Sequence, residues 1–115
     1  MASEERIKKL NELIKRELGK IIFRELEFKS GVLVTLTNTD TASDLQEVKV
    51  FVSVFPEAEQ QNVLKVLRFK AGLLQYLLNR TLKMRPVPKI VFQYDKELSR
   101  AQKVEQIIEK VKIKE

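Results

Sequence analysis

The sequence predicts an α+β domain with the order α-β-β-α-β-α, a three-stranded sheet carrying its helices on one face. Three observations predict it. Apolar residues recur at steps of three and four near both ends of the chain, as one face of a helix requires. Between residues 32 and 55 the period changes to two, with valine at every other position from Val48 to Val54. A long amphipathic stretch then leads to a third alternating run, Lys89–Tyr94, and this strand–helix–strand unit is long enough for parallel pairing. At 115 residues the chain has room for one core, so residues 1–115 are expected to form a single domain.

Ser3 is placed to cap the first helix, with Glu4 and Glu5 in the turn where the dipole favours negative charge. Ile7, Leu10, Ile14, Leu18 and Ile21 form its stripe, which fades between Phe23 and Phe28. Gly31 opens the first strand, where Val32, Val34 and Leu36 alternate with Leu33, Thr35 and Thr37. The polar run TNTDTASD (Thr37–Asp44) reads as a hairpin turn, because such side chains bond readily to nearby backbone. The second strand turns Val48, Val50, Val52 and Val54 toward the helices and Lys49, Phe51, Ser53 and Phe55 to the other face. Phe51 and Phe55 are open to two readings: a platform for stacked bases, or rings packed under the N-terminal or C-terminal helix. Pro56, Glu57 and Glu59 suit the start of the long helix. RPVP (Arg85–Pro88) interrupts regular structure before the third strand, whose Ile90, Phe92 and Tyr94 share a face. Asp95 then suits the N-cap of a last helix with Leu98, Ala101, Val104, Ile108 and Val111 as its buried stripe.

The long helix contains a conflict. On a helical wheel Val63, Val66, Leu67, Ala71, Leu74, Leu77 and Leu78 form one apolar band, and Lys70 falls inside it. A buried ammonium needs a partner, and every neighbouring charge is positive. Either the helix is unbroken and its lysine snorkels to water, or it breaks at Ala71-Gly72 and turns Lys70 outward. The break is the reading adopted, since Gly supplies backbone freedom and Ala leaves the corner uncrowded. It also leaves unpaired amide N–H groups at a new helix N-terminus, at Ala71 and Gly72, which is a natural phosphate site.

Charge placement points to the partner. The net charge is +6, and residues 60–94 hold Lys65, Arg68, Lys70, Arg80, Lys83, Arg85 and Lys89 with no Asp or Glu. The other 15 basic residues are offset by all 16 acidic ones. Ordinary soluble surfaces intersperse the two signs. One contiguous basic third is the footprint of a polyanion-binding protein.

Composition narrows the chemistry. The chain has neither cysteine nor histidine, which removes disulfides, Cys/His zinc sites, thiol nucleophiles and His-based acid–base catalysis. No P-loop, dinucleotide-binding glycine motif or nucleophile elbow appears. Asp40, Asp44 and Glu47 are carboxylates of a hairpin, where turn chemistry accounts for them. The expectation is a protein that is not an enzyme and takes no cofactor, metal or small-molecule substrate. The charged start of the chain and the lack of a long apolar run give the further expectation of a cytoplasmic protein without membrane contact. A protein-interaction module remains the other reading of the same composition.

The order of elements resembles the type II arrangement of KH-like RNA-binding domains, though the Gly-x-x-Gly loop is absent and only Gly72 is present. The stretches SDLQEVKVFVSVF (Ser43–Phe55) and KAGLLQYLLNRTLKMRPVPKIVFQYD (Lys70–Asp95), with the helical stretches around them, resemble more closely the bacterial ribosome-binding factor A family. In that family an Ala-x-Gly pattern at a helix kink replaces the loop; here its positions are Lys70, Ala71 and Gly72. Gln75 stands where a basic residue is common, Lys89 where an acidic one is usual, and ELEFKSG lacks the family's Asp-Pro-Arg element. The resemblance implies a monomeric, non-catalytic assembly factor for the small ribosomal subunit. Such a factor binds its ribosomal RNA and assists late maturation and 5′-end processing, with a role in cold adaptation. The RNA-binding residues are expected to be Lys65, Arg68, Lys70, Ala71, Gly72, Arg80, Lys83, Arg85 and Lys89. The alternative is a KH-like RNA-binding or protein-interaction module not tied to ribosome assembly.

Overall fold

The structure, a computed structural model, describes residues 3–96. Helix α1 (Glu4–Glu25) starts at Ser3, whose hydroxyl accepts the Arg6 N–H at 3.2 Å, and Glu4 and Glu5 lie in its first turn. Ile14, Leu18, Ile21 and Ile22 are its buried residues, so the three-and-four stripe faces the core. Strands β1 (Leu33–Thr41), β2 (Glu47–Phe55) and β3 (Lys89–Tyr94) form one sheet in the order β1-β2-β3. β1 and β2 are antiparallel, and β2 and β3 are parallel, as the crossover unit predicts. Val48, Val50, Val52 and Val54 are all buried in one core with α1, Ile90 and Phe92.

The hairpin turn is shorter than the sequence suggests. Thr37–Thr41 belongs to β1, and the turn occupies residues 42–46, with Leu45 in the left-handed region at φ 62°. The cause is a bulge between Leu36 and Asn38, which shifts the register. Thr39 and Thr41 consequently point into the core, only 4% exposed. Asn11 on α1 makes their burial tolerable. Its backbone carbonyl accepts the Thr39 hydroxyl at 2.6 Å, and its side-chain oxygen accepts the Thr41 N–H at 2.9 Å and hydroxyl at 2.6 Å. Within the true turn the Asp44 carboxylate accepts the Gln46 N–H at 3.1 Å, which is turn chemistry.

A 3₁₀ turn (Glu57–Glu59) leads into α2 (Gln60–Phe69), and α3 (Ala71–Thr81) follows at once. The predicted break is present, but the residue that leaves helical geometry is Lys70, at φ −88° and ψ 2°, just before Ala71-Gly72. Any residue can adopt those angles, so the bend does not depend on glycine. Each half then buries its own stripe: Val63, Leu64 and Leu67 from α2, Leu74 and Leu78 from α3. Lys70 is exposed.

Phe51 and Phe55 lie on the sheet face opposite the one that α1, α2 and α3 cover and take no part in that core. Phe55 is 53% exposed, so packing under the N-terminal helix is overturned: α1 takes the valine face. The expected last helix, with Leu98 through Val111, lies outside the described residues. Its expected N-cap, Asp95, donates its N–H to the Val52 carbonyl, and its carboxylate accepts the Thr37 hydroxyl at 2.6 Å. Among the described residues no helix is long and apolar enough to cross a membrane.

Candidate nucleic-acid interface

The helix break and its flanks carry the segment that the charge pattern singles out. Lys65, Arg68, Lys70, Arg80, Lys83, Arg85 and Lys89 are all exposed. Among the described residues every salt bridge involves another cation: Lys9, Arg16, Lys20, Arg24 or Lys29. None of the seven forms a salt bridge within the described fold.

They occupy four places in the fold. Lys65 and Lys70 stand on the α2 side, with the Lys70 ammonium 5.8 Å from the centroid of the Phe69 ring. Arg80 lies in the last turn of α3, its guanidinium 5.8 Å from the Tyr76 ring centroid. An 11-residue helix such as α3 is about 16 Å long, so the cations at its two ends form a ridge rather than a point. Lys83 and Arg85 continue past the helix end. Arg68 and Arg85 also serve the fold. Arg68 donates to the Phe92 carbonyl at 3.1 Å, and Arg85 donates to the carbonyls of Leu82 and Met84 at 2.7 and 2.6 Å. These bonds hold the two guanidinium groups in place. Lys89 opens β3 and bonds through its N–H to the Gln46 carbonyl, which sets it beside the hairpin turn instead of along α3.

The start of α3 adds backbone donors. Lys70 provides no side-chain cap, and the first turn of α3 contains no acidic residue. Ala71 is half-buried at the edge of the core. Gly72 is exposed, and a Cβ built on it would meet nothing within 4 Å. Glycine at this position therefore answers no crowding within the fold.

Gln75, which stands where the family commonly has a basic residue, is used internally. Its carbonyl oxygen accepts the Ile90 N–H at 2.8 Å, while its amide donates to the Pro88 carbonyl at 3.1 Å and to Asn79 at 3.0 Å. This clamp fixes α3 against the entry to β3 and so fixes the path of RPVP. Two features escape a reading of the basic segment alone. Arg6 and Lys9 of α1 line one cleft with Lys83, so the positive surface extends onto the first helix. Phe69 and Tyr76 are 83% and 57% exposed. The interleaving of these rings with Lys70 and Arg80 was the available signal. Among the described residues no group of three or more His, Cys, Asp or Glu side chains could hold a metal ion.

Comparison with known proteins places these features in a family context. The family model for ribosome-binding factor A matches residues 6–108. A relative from Halothermothrix orenii, named ribosome-binding factor A, is 31% identical over 112 residues, covering 96% of this chain and 92% of its own. The crystal structure of ribosome-binding factor A from Thermus thermophilus is similar in fold, with a TM-score of 0.68 and 24% identity over 76% of this chain and 94% of that one. A homology model of the Thermus thermophilus factor, fitted into a cryo-electron-microscopy map of its 30S complex, has a TM-score of 0.64 and 27% identity. That similarity covers 74% of this chain and 90% of that one.

Proposed function

This chain belongs to the ribosome-binding factor A family, and from that premise we propose that it binds small-subunit ribosomal RNA along α2, the break and α3. The Thermus thermophilus relative fitted in a 30S complex supports the choice of subunit. The observation that carries the reading is the run of seven exposed cations with no acidic residue among them, all but Lys89 lying along α2, the break and α3 with its end. Lys65, Arg68, Lys70, Arg80, Lys83, Arg85 and Lys89 neutralise phosphates. The N–H groups of Ala71 and Gly72 donate to a phosphate oxygen approaching the open start of α3.

The protein acts as a cytoplasmic monomer and without catalysis. A binding protein alters RNA maturation only by favouring one conformation over another. A rigid basic ridge does this by holding a segment of the precursor in the arrangement that allows late maturation and 5′-end processing. Misfolded RNA helices escape more slowly in the cold, so the help matters most there. Cells lacking the protein should accumulate free small subunits with unprocessed precursor RNA, increasingly as temperature falls. Gradient profiles and mapping of the RNA 5′ ends check this. Normal profiles and mature ends at low temperature would refute the assembly role.

A further inference from the structure

Four apolar side chains flank the break and remain in water: Val66 at 37% exposure, Phe69 at 83%, Leu73 at 44% and Tyr76 at 57%. Removing such rings from water is favourable, and the fold leaves that stabilisation unused. The neighbouring stripe cannot absorb them, because Leu67, Leu74 and Leu78 are already fully buried beneath. Each ring carries a cation, Lys70 on Phe69 and Arg80 on Tyr76, both at 5.8 Å. An apolar protein partner would strip water from these cations and offer no anion in return. An RNA strand with unpaired bases supplies both needs, a π-face for each ring and a phosphate for each cation. A duplex does not, since its bases are stacked on one another. Gly72, between Phe69 and Tyr76 in the sequence, is exposed and a Cβ there would meet nothing within 4 Å, which leaves room for a strand to lie against the backbone.

We infer that the outer face of the α2–α3 junction holds unpaired nucleobases on Phe69 and Tyr76, so that the preferred ligand is single-stranded RNA or a loop. This rests on the RNA-binding reading above and names the form of RNA that it takes. The test uses the full chain with a fluorescently labelled ten-nucleotide RNA strand and the blunt duplex containing that strand, titrated over a range of salt. Phe69→Leu combined with Tyr76→Leu should weaken strand binding by about tenfold per ring. The salt slope should not change, because no charge is removed. Duplex binding should also be unaffected, and Phe55→Leu, on the far sheet face, should be silent in both assays. Tyrosine fluorescence of the parent should fall on strand binding, and Tyr76→Leu should abolish that response while Tyr94 remains.

Equal losses on strand and duplex, or no loss on the strand, overturn the inference. In the second case the rings are free for another partner and the phosphate-binding reading survives. A parent protein that binds neither RNA overturns that reading as well.

Discussion

Helices α1 and α3 begin in opposite ways. The first has a serine cap that accepts the Arg6 N–H and two glutamates in its first turn. The other begins at a lysine with no side-chain cap and no acidic residue in its first turn. Capping and first-turn acids are readily encoded and typically stabilise a helix by about 1 kcal/mol. Both are absent at α3, which is what the proposed phosphate contact requires of a helix start. The contrast extends to side-chain charge. Arg16, Lys20 and Arg24 on α1 sit beside their own glutamates, whereas the cations around α3 form no salt bridge among the described residues.

Five variants break or sharpen this contrast. The largest effect is expected from replacing Arg80, Lys83 and Arg85 together with glutamine. The slope of log K for RNA against log salt should fall by about 2, with affinity near 0.1 M salt reduced about a hundredfold. Neutralising Lys20 and Arg24 of α1, which already have partners, should leave both quantities close to the parent's. Equal losses from the two sets would erase the distinction between the helices.

Next is Gln75→Ala, which removes the clamp and leaves the Ile90 N–H, on a residue only 5% exposed, without its acceptor. Stability should drop by about 2 kcal/mol in urea denaturation, with the salt slope of RNA binding kept. Ser3→Ala should cost about 1 kcal/mol by the same measurement and leave RNA affinity alone, since Ser3 carries no charge and its hydroxyl is spent on the Arg6 N–H.

The smallest effect, Gly72→Ala, should run the other way. The residue is helical, its φ is not positive, and an added methyl meets open space, so stability should rise by about 0.5 kcal/mol. If a phosphate approaches this backbone, the same change should weaken RNA binding. A variant that is both more stable and equally tight would show that the start of α3 is merely a helix end.

How much was legible in advance follows from the range of the interactions involved. The bounds of β3, the parallel crossover and the break beside Lys70 all follow from local periodicity, and the structure has them. The segregation of charge was equally plain, because it is a property of composition along the chain. The extension of β1 through Thr41 was not legible. It depends on Asn11, some 30 residues earlier, satisfying two threonines that look like turn residues by type. Gln75 was visible only as a missing positive charge, since its value to the fold lies in an acceptor for a backbone N–H fifteen positions later. Phe69 and Tyr76 were hidden by a different bias: aromatic residues in a helix are counted toward the core unless geometry shows them outside.

The parallel pairing of β2 with β3 has a kinetic consequence. Glu47 pairs with Lys89, so the sheet is completed only when a loop of about 40 residues closes, whereas the β1–β2 hairpin closes over a handful. The hairpin with α1 laid across it should therefore assemble first, and β3 should join after α2 and α3 have docked. Contacts made at that last step, the Gln75 clamp among them, are absent from an early transition state. Their loss should appear mainly as faster unfolding, with the folding rate little changed.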